Sequence, residues 1–141
     1  MKALVLCLIC LPLSKLYITS SFGHRRHPVT GTHTFHNGVD LRARSDTVYA
    51  VMSGRVRSVA YDDQLGIHIG IDHQGCSSVY GHLSQVFVAP YSEVLSGQAI
   101  GITGRTGRVT GEHLHFSIHA GGRWTEPIEF IYQLINNKDH E

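Results

Sequence analysis

The chain has 141 residues, long enough for one domain with a real core and too short for two ordinary ones. Its 12 basic and 11 acidic residues leave a formal charge of +1, so it carries no electrostatic footprint for nucleic acid and no such partner is expected. Against a single Trp and 16% charged residues stand 11 histidines, a density that points to metal or proton chemistry.

Residues 1–14 open on Met1-Lys2 and continue in an uncharged run from Ala3 to Leu13, the basic start and short apolar stretch of a secretory signal. The run is too short for a conventional membrane span. Pro12 and Leu13 stand where small residues would precede a cut after Ser14, so the stretch reads either as a cleaved signal or as a retained apolar leader. A retained leader would allow weak association with a membrane surface. Cys7 and Cys10 lie within it, which leaves Cys76 alone in the remainder and no internal disulfide once the leader is removed. Export without disulfides fits a bacterial periplasmic, envelope or extracellular protein.

Beyond the leader the pattern is of short strands divided by glycine and polar turns. Tyr17 to Phe22 is β-branched and aromatic and is ended by Gly23. His24 to Asn37, with Pro28, Gly31 and four histidines, reads as a long polar loop of the kind that carries function. Val39 to Leu41 and Thr47 to Val51 are short strands, and Arg55 to Tyr61 alternates as a half-buried one. Ile67 to His73 alternates again, with Ile67, Ile69 and Ile71 on one face and His68 expected exposed on the other; Gln74-Gly75 turns the chain into Ser77 to Leu83. A loop from Pro90 to Ser96, a strand from Ala99 to Thr103 and a strand from Leu114 to His119 follow, and Gly121-Gly122 closes the last hairpin. Glu126 to Ile135 is the one helix candidate, with Pro127 at an N1-like position, and residues 136–141 form a polar tail. The fold class expected is mainly β: a single antiparallel sheet or sandwich-like domain with a groove and a short C-terminal helix.

Three turns bring chemistry. His113-Leu114-His115 places two imidazoles on one face of a strand, where they can serve as two metal ligands or as one ligand beside one acid/base. His36-Asn37-Gly38-Val39-Asp40 lets one loop-to-strand corner deliver a histidine and a carboxylate, and Tyr80-Gly81-His82-Leu83 adds a further imidazole. A catalytic zinc site commonly takes three ligands of the His/His/carboxylate kind. Glu112, next to His113, should face away from it, and no HExxH is present. The glycine-rich turn from Gly104 to Gly111 lacks a phosphate-loop pattern and is expected to wall a groove that an extended peptide can approach closely.

These turns, with Phe22-Gly23-His24-Arg25-Arg26-His27-Pro28, Val48-Tyr49-Ala50 and the run from Thr103 to Phe116, match in order and spacing a known family. Ile18 to Pro127, within a domain expected over residues 17–135, resembles the lysostaphin/LytM-type zinc endopeptidases, which cut the peptide part of bacterial peptidoglycan. The resemblance implies one zinc ion held by His36, Asp40 and His115, with His82 and His113 as catalytic histidines that share the base and oxyanion roles. It also makes Arg25 and His27, with Asn37, groove-wall or supporting residues. A monomer acting on peptidoglycan, without proteolytic activation, is the expectation. Two other readings stay open: a non-catalytic domain of the same fold that binds the wall or activates amidases, and a zinc peptidase for a non-wall peptide. All five positions being filled favours the enzyme.

Overall fold

The computed structural model describes residues 8–26 and 30–138. In chain order it contains β1 (Ile18–Ser20), β2 (Gly23–Arg26), β3 (His33–His36), β4 (Val39–Arg42) and β5 (Thr47–Tyr49). Next come β6 (Gly54–Asp62), β7 (Gly66–Asp72) and β8 (Cys76–Val86), a meander of long strands. The short β9 (Glu93–Val94) and β10 (Ala99–Thr103) lead to β11 (His113–Ala120), β12 (Arg123–Thr125) and the helix α1 (Pro127–Lys138). Among the described residues no helix is long and apolar enough to cross a membrane.

Ten strands form one antiparallel sheet in the order β1-β4-β11-β8-β7-β6-β9, with β12 on β11 and β10 bridging β5 and β8. The expected mainly β, antiparallel architecture with a short C-terminal helix is the one observed. Period-2 alternation makes the sheet two-faced. Leu41, Ile69, Ile71, Tyr80, Leu114, Phe116 and Ile118 are all at 0% exposure on the core face. On the other face β4, β11 and β8 align Asp40, His115 and Gly81 across the sheet. The helix adds Ile131 to the core, and the Glu126 carboxylate accepts from Glu129 N–H just ahead of Pro127, a side-chain N-cap followed by proline at N1.

The structure departs from the sequence expectations in several places, among them the short strand β9 within the stretch expected as a loop from Pro90 to Ser96. The stretch expected as a loop from His24 to Asn37 contains a two-stranded hairpin, β2 on β3, whose side chains are almost all exposed or only partly buried; with no apolar face to bury, it leaves no alternation to read. His68 is not an exposed strand residue: its side chain is 15% exposed, and Nδ1 donates to Gly66 O at 2.9 Å. Residues 136–138 belong to the helix rather than to a tail. Residues 8–14 of the stretch expected as a leader lie on the domain: Leu13 is 2% exposed within the core, Cys10 N–H donates to Val51 O at 2.8 Å and Tyr49 N–H to Pro12 O at 2.9 Å.

Candidate active site

The corner between β3 and β4 delivers His36 and Asp40, four residues apart. Gly38 makes that corner possible, because a Cβ there would sit 2.5 Å from Phe116 O and 3.0 Å from His115 Nε2. β11 lies directly beside β4, with His115 opposite Asp40. Asp40 Oδ1 is the hub that results: it is 3.2 Å from His36 Nε2, 3.2 Å from His115 Nδ1 and 3.6 Å from His113 Nε2.

The remaining nitrogens are anchored. His36 Nδ1 donates to Ser21 O at 2.9 Å, and a carbonyl only accepts, which leaves Nε2 as the nitrogen that faces Asp40. His113 Nδ1 donates to Gly111 O at 3.1 Å in the same manner. His115 Nε2 meets Ser117 Oγ at 2.9 Å, which can take the Nε2 proton when Nδ1 acts as a ligand. Burial alone would raise the Asp40 carboxyl; hydrogen bonds from His115 and His36 and the charge of His36 and His113 outweigh it and hold the group well below the usual carboxylate range.

His82 reaches the same space by a different device. Ile67 pairs with Leu83 but Ile69 with Tyr80, so β8 holds one extra residue at Gly81-His82, and the bulge turns His82 off the core face. The residue sits at φ 62°, a left-handed conformation unfavourable for a side chain of this size, and two bonds hold it there. His82 N–H donates to Leu65 O at 2.7 Å, and Nδ1 donates to Thr106 O at 2.8 Å. Thr106 is itself fixed, donating to Leu83 O at 2.7 Å and accepting from Ile67 N–H at 3.0 Å. The His82 and His113 rings are 4.7 Å apart, edge to face. Burial pushes the His82 imidazole below its ordinary value, and the neighbouring His113 and His115 act in the same direction, against the Thr106 bond.

These groups open into a cleft of ≈ 570 Å³ whose lining includes Arg25, Asn37 and Phe35 from the hairpin side and Arg108 to Thr110 from the glycine-rich turn. Of the candidate residues, His36, Asp40, His82, His113 and His115 are brought together here, and Arg25 and Asn37 line the same cleft. His27 lies outside the described residues. Glu112 points elsewhere, its carboxylate accepting from Ser45 N–H. Thr106 and Ser117 were not singled out by sequence reasoning; Ser117 could have been found, two residues past His115 on the same strand face, whereas Thr106 acts through a backbone carbonyl that leaves no residue signature.

His36, Asp40 and His115 each offer one ligand atom, all within 4.8 Å of one another. Two imidazole nitrogens, each with the ring's other nitrogen anchored, and one ionised oxygen form a donor set suited to a divalent metal with open positions left for water or substrate.

Residues 34–127 match the model of Peptidase family M23. The chain is 40% identical over 113 residues to the peptidoglycan DD-endopeptidase ShyA of Vibrio cholerae, across 78% of this chain and 26% of that protein. It is 35% identical over 119 residues to the DD-carboxypeptidase/endopeptidase Mpg of Neisseria gonorrhoeae, across 83% of this chain and 27% of the relative. The chain thus spans about a quarter of the length of the curated relatives it matches. Among solved structures, a zinc-containing peptidase from Vibrio cholerae superposes with a TM-score of 0.80 at 34% identity, covering 85% of this chain and 39% of that one.

Proposed function

Because the chain belongs to peptidase family M23, we propose that this domain is a zinc-dependent endopeptidase that hydrolyses peptide bonds of bacterial peptidoglycan. The observation that carries the reading is the His36, Asp40 and His115 donor set with the His82 and His113 imidazoles facing it across one cleft. Relatives named as DD-endopeptidases favour a cross-link between D-amino acids as the bond cut. Work on that polymer would require the domain outside the cytoplasmic membrane, in the periplasm, the envelope or the extracellular space.

When bound, zinc polarises a carbonyl and lowers the pKa of a water to about 7. The protein's part is to handle protons and hold the peptide. His82 suits the base: burial favours its neutral form, Nδ1–H is committed to Thr106 O, and Nε2 keeps the lone pair that accepts the water's proton. The imidazolium so formed returns the proton to the leaving amine. His113 turns Nε2 into the same space, 3.6 Å from Asp40 Oδ1, where its imidazole would steady the carbonyl oxygen as charge builds there.

The test is metal content together with release of soluble fragments from purified peptidoglycan, for the wild type, His113→Ala and His115→Ala. We expect one zinc per chain and lysis in the wild type, zinc retained with activity lost in His113→Ala, and both lost in His115→Ala. Zinc without fragment release from any wall type would overturn the substrate, and absence of metal would overturn the enzyme.

A further inference from the structure

The metal cleft does not end at the His36–Asp40 corner. A second cavity of ≈ 350 Å³ continues along the polar face of the sheet, and Asn37, Leu65 and His115 line both. That volume lies within the roughly 300–1,000 Å³ usual for ligand pockets. A chain bound across the metal corner therefore has room on each side of it.

The two arms differ in charge. Asp40 and Asp62 line the metal cleft and face Arg25 and Arg108 there, whereas among the described residues no carboxylate lines the second cavity to offset its cation. Its ionisable groups beyond His115 are Arg57, His68 and His119, accompanied by serine hydroxyls. Trp124 pairs with His119 across β12 and β11 and meets its ring edge-on at 5.1 Å, forming an amphipathic wall that is 37% exposed.

Arg57 is delivered by the device that delivers His82. Val56 pairs with Ile71 and Ser58 with Gly70, so β6 also holds one extra residue, and Arg57 and Ser58 both come to line the cavity. Arg57 Nη2 lies 2.9 Å from Asp72 Oδ1, but both side chains are more than half exposed, so solvent screens the pair and the other guanidinium N–H groups remain donors. His68 is committed through Nδ1 to Gly66 O and lies 3.8 Å from Asp62 Oδ2, which leaves Arg57 and His119 as the groups for an anion.

We infer that this second cavity is the subsite for a carboxylate-bearing arm of the peptide substrate, with Arg57 and His119 receiving the carboxylate beside the Trp124 wall. The inference rests on the peptidase reading of the adjoining cleft.

The test is calorimetric binding to the zinc-loaded full chain of two synthetic probes: a peptidoglycan stem tetrapeptide, and the same peptide with its carboxylates converted to amides. The wild type should bind the acid form about tenfold more tightly, the worth of one charge-assisted hydrogen bond. Arg57→Gln should erase that preference by weakening the acid form alone, and His119→Gln should reduce it. In hydrolysis of the corresponding cross-linked dimers, Arg57→Gln should raise KM for the acid substrate with kcat unchanged. Equal binding of both peptides by the wild type, or an Arg57→Gln variant that weakens both equally or neither, would overturn the subsite. Discrimination without hydrolysis would overturn the peptidase reading and keep the subsite; hydrolysis without discrimination would do the reverse.

Discussion

β11 carries the domain's two kinds of physics on opposite faces. Leu114, Phe116 and Ile118 are at 0% exposure against the core, while His113, His115, Ser117 and His119 alternate with them on the groove face. The histidines of the two faces differ in the same way. His73, on the core side of the β7–β8 turn, has both nitrogens taken, Nδ1 by Ser53 O at 2.8 Å and Nε2 by Ser78 Oγ at 2.8 Å, and the Ser78 hydroxyl is hydrogen-bonded to Tyr80 OH. His36, His82 and His113 each have one nitrogen fixed by a backbone carbonyl and turn the other toward the cleft. His73 is thus bonded on both sides within the fold, whereas these three are oriented by one bond and keep the other nitrogen for the cleft.

The largest effect should separate the faces outright. His82→Ala is expected to lower kcat by about 10²- to 10⁴-fold, as for loss of an acid/base group, while leaving the thermal midpoint close to wild type. Kinetics on soluble cross-linked peptides with a parallel melt would show it; a large drop in the midpoint would mean that the bulged turn around His82 is structural first. Phe116→Ala, one residue from His115 on the opposite face, should do the converse. It should cost about 3–5 kcal/mol of stability, measured by urea unfolding, with kcat retained in the fraction that stays folded. Leu13→Ala tests how far the core extends toward the N-terminus. With a 2% exposed side chain among core residues, it should cost about 2–5 kcal/mol, whereas a residue belonging only to a removable leader would cost nothing.

What could be read from the sequence follows from the same division. The antiparallel sheet and the placement of β11 were legible because burial on one face imposes alternation, and the helix because Pro127 marks its first turn. That His36, Asp40, His82, His113 and His115 would gather was legible only through the resemblance of three turns, taken together in order and spacing, to a known family, since each motif alone is common. The β2–β3 hairpin was hidden because its strands are held by pairing with each other rather than by a buried face. The bulges at His82 and Arg57 were hidden too, since an inserted residue changes the facing of side chains without changing their kind. His68 was misplaced because alternation assigns a face, not a depth: the groove face is concave enough to leave it 15% exposed.

The smallest effect expected is also the sharpest contrast between the two kinds of histidine. Burial depresses the His73 imidazole below its ordinary value of 6.5, against the bond to Ser53 and the charge of Asp72. Burial depresses His82 as well. In both cases the unfolded chain takes up a proton more readily than the folded one, so the contribution to stability is complete above pH 6.5 and is lost as pH falls through the lower folded value. Holding the range above 3.8, the ordinary carboxyl value, keeps the Asp40 titration out of the measurement. Urea midpoints of the metal-free chain should therefore decline from neutral pH down to about pH 5. His73→Gln, which keeps a donor for Ser53 O, should flatten that decline and leave kcat unchanged. His82→Gln should flatten it too and remove activity. If His73→Gln lowered kcat as His82→Gln does, the division between doubly and singly satisfied imidazoles would fail. If neither variant altered the slope, the pH dependence would have to arise from groups other than these two histidines.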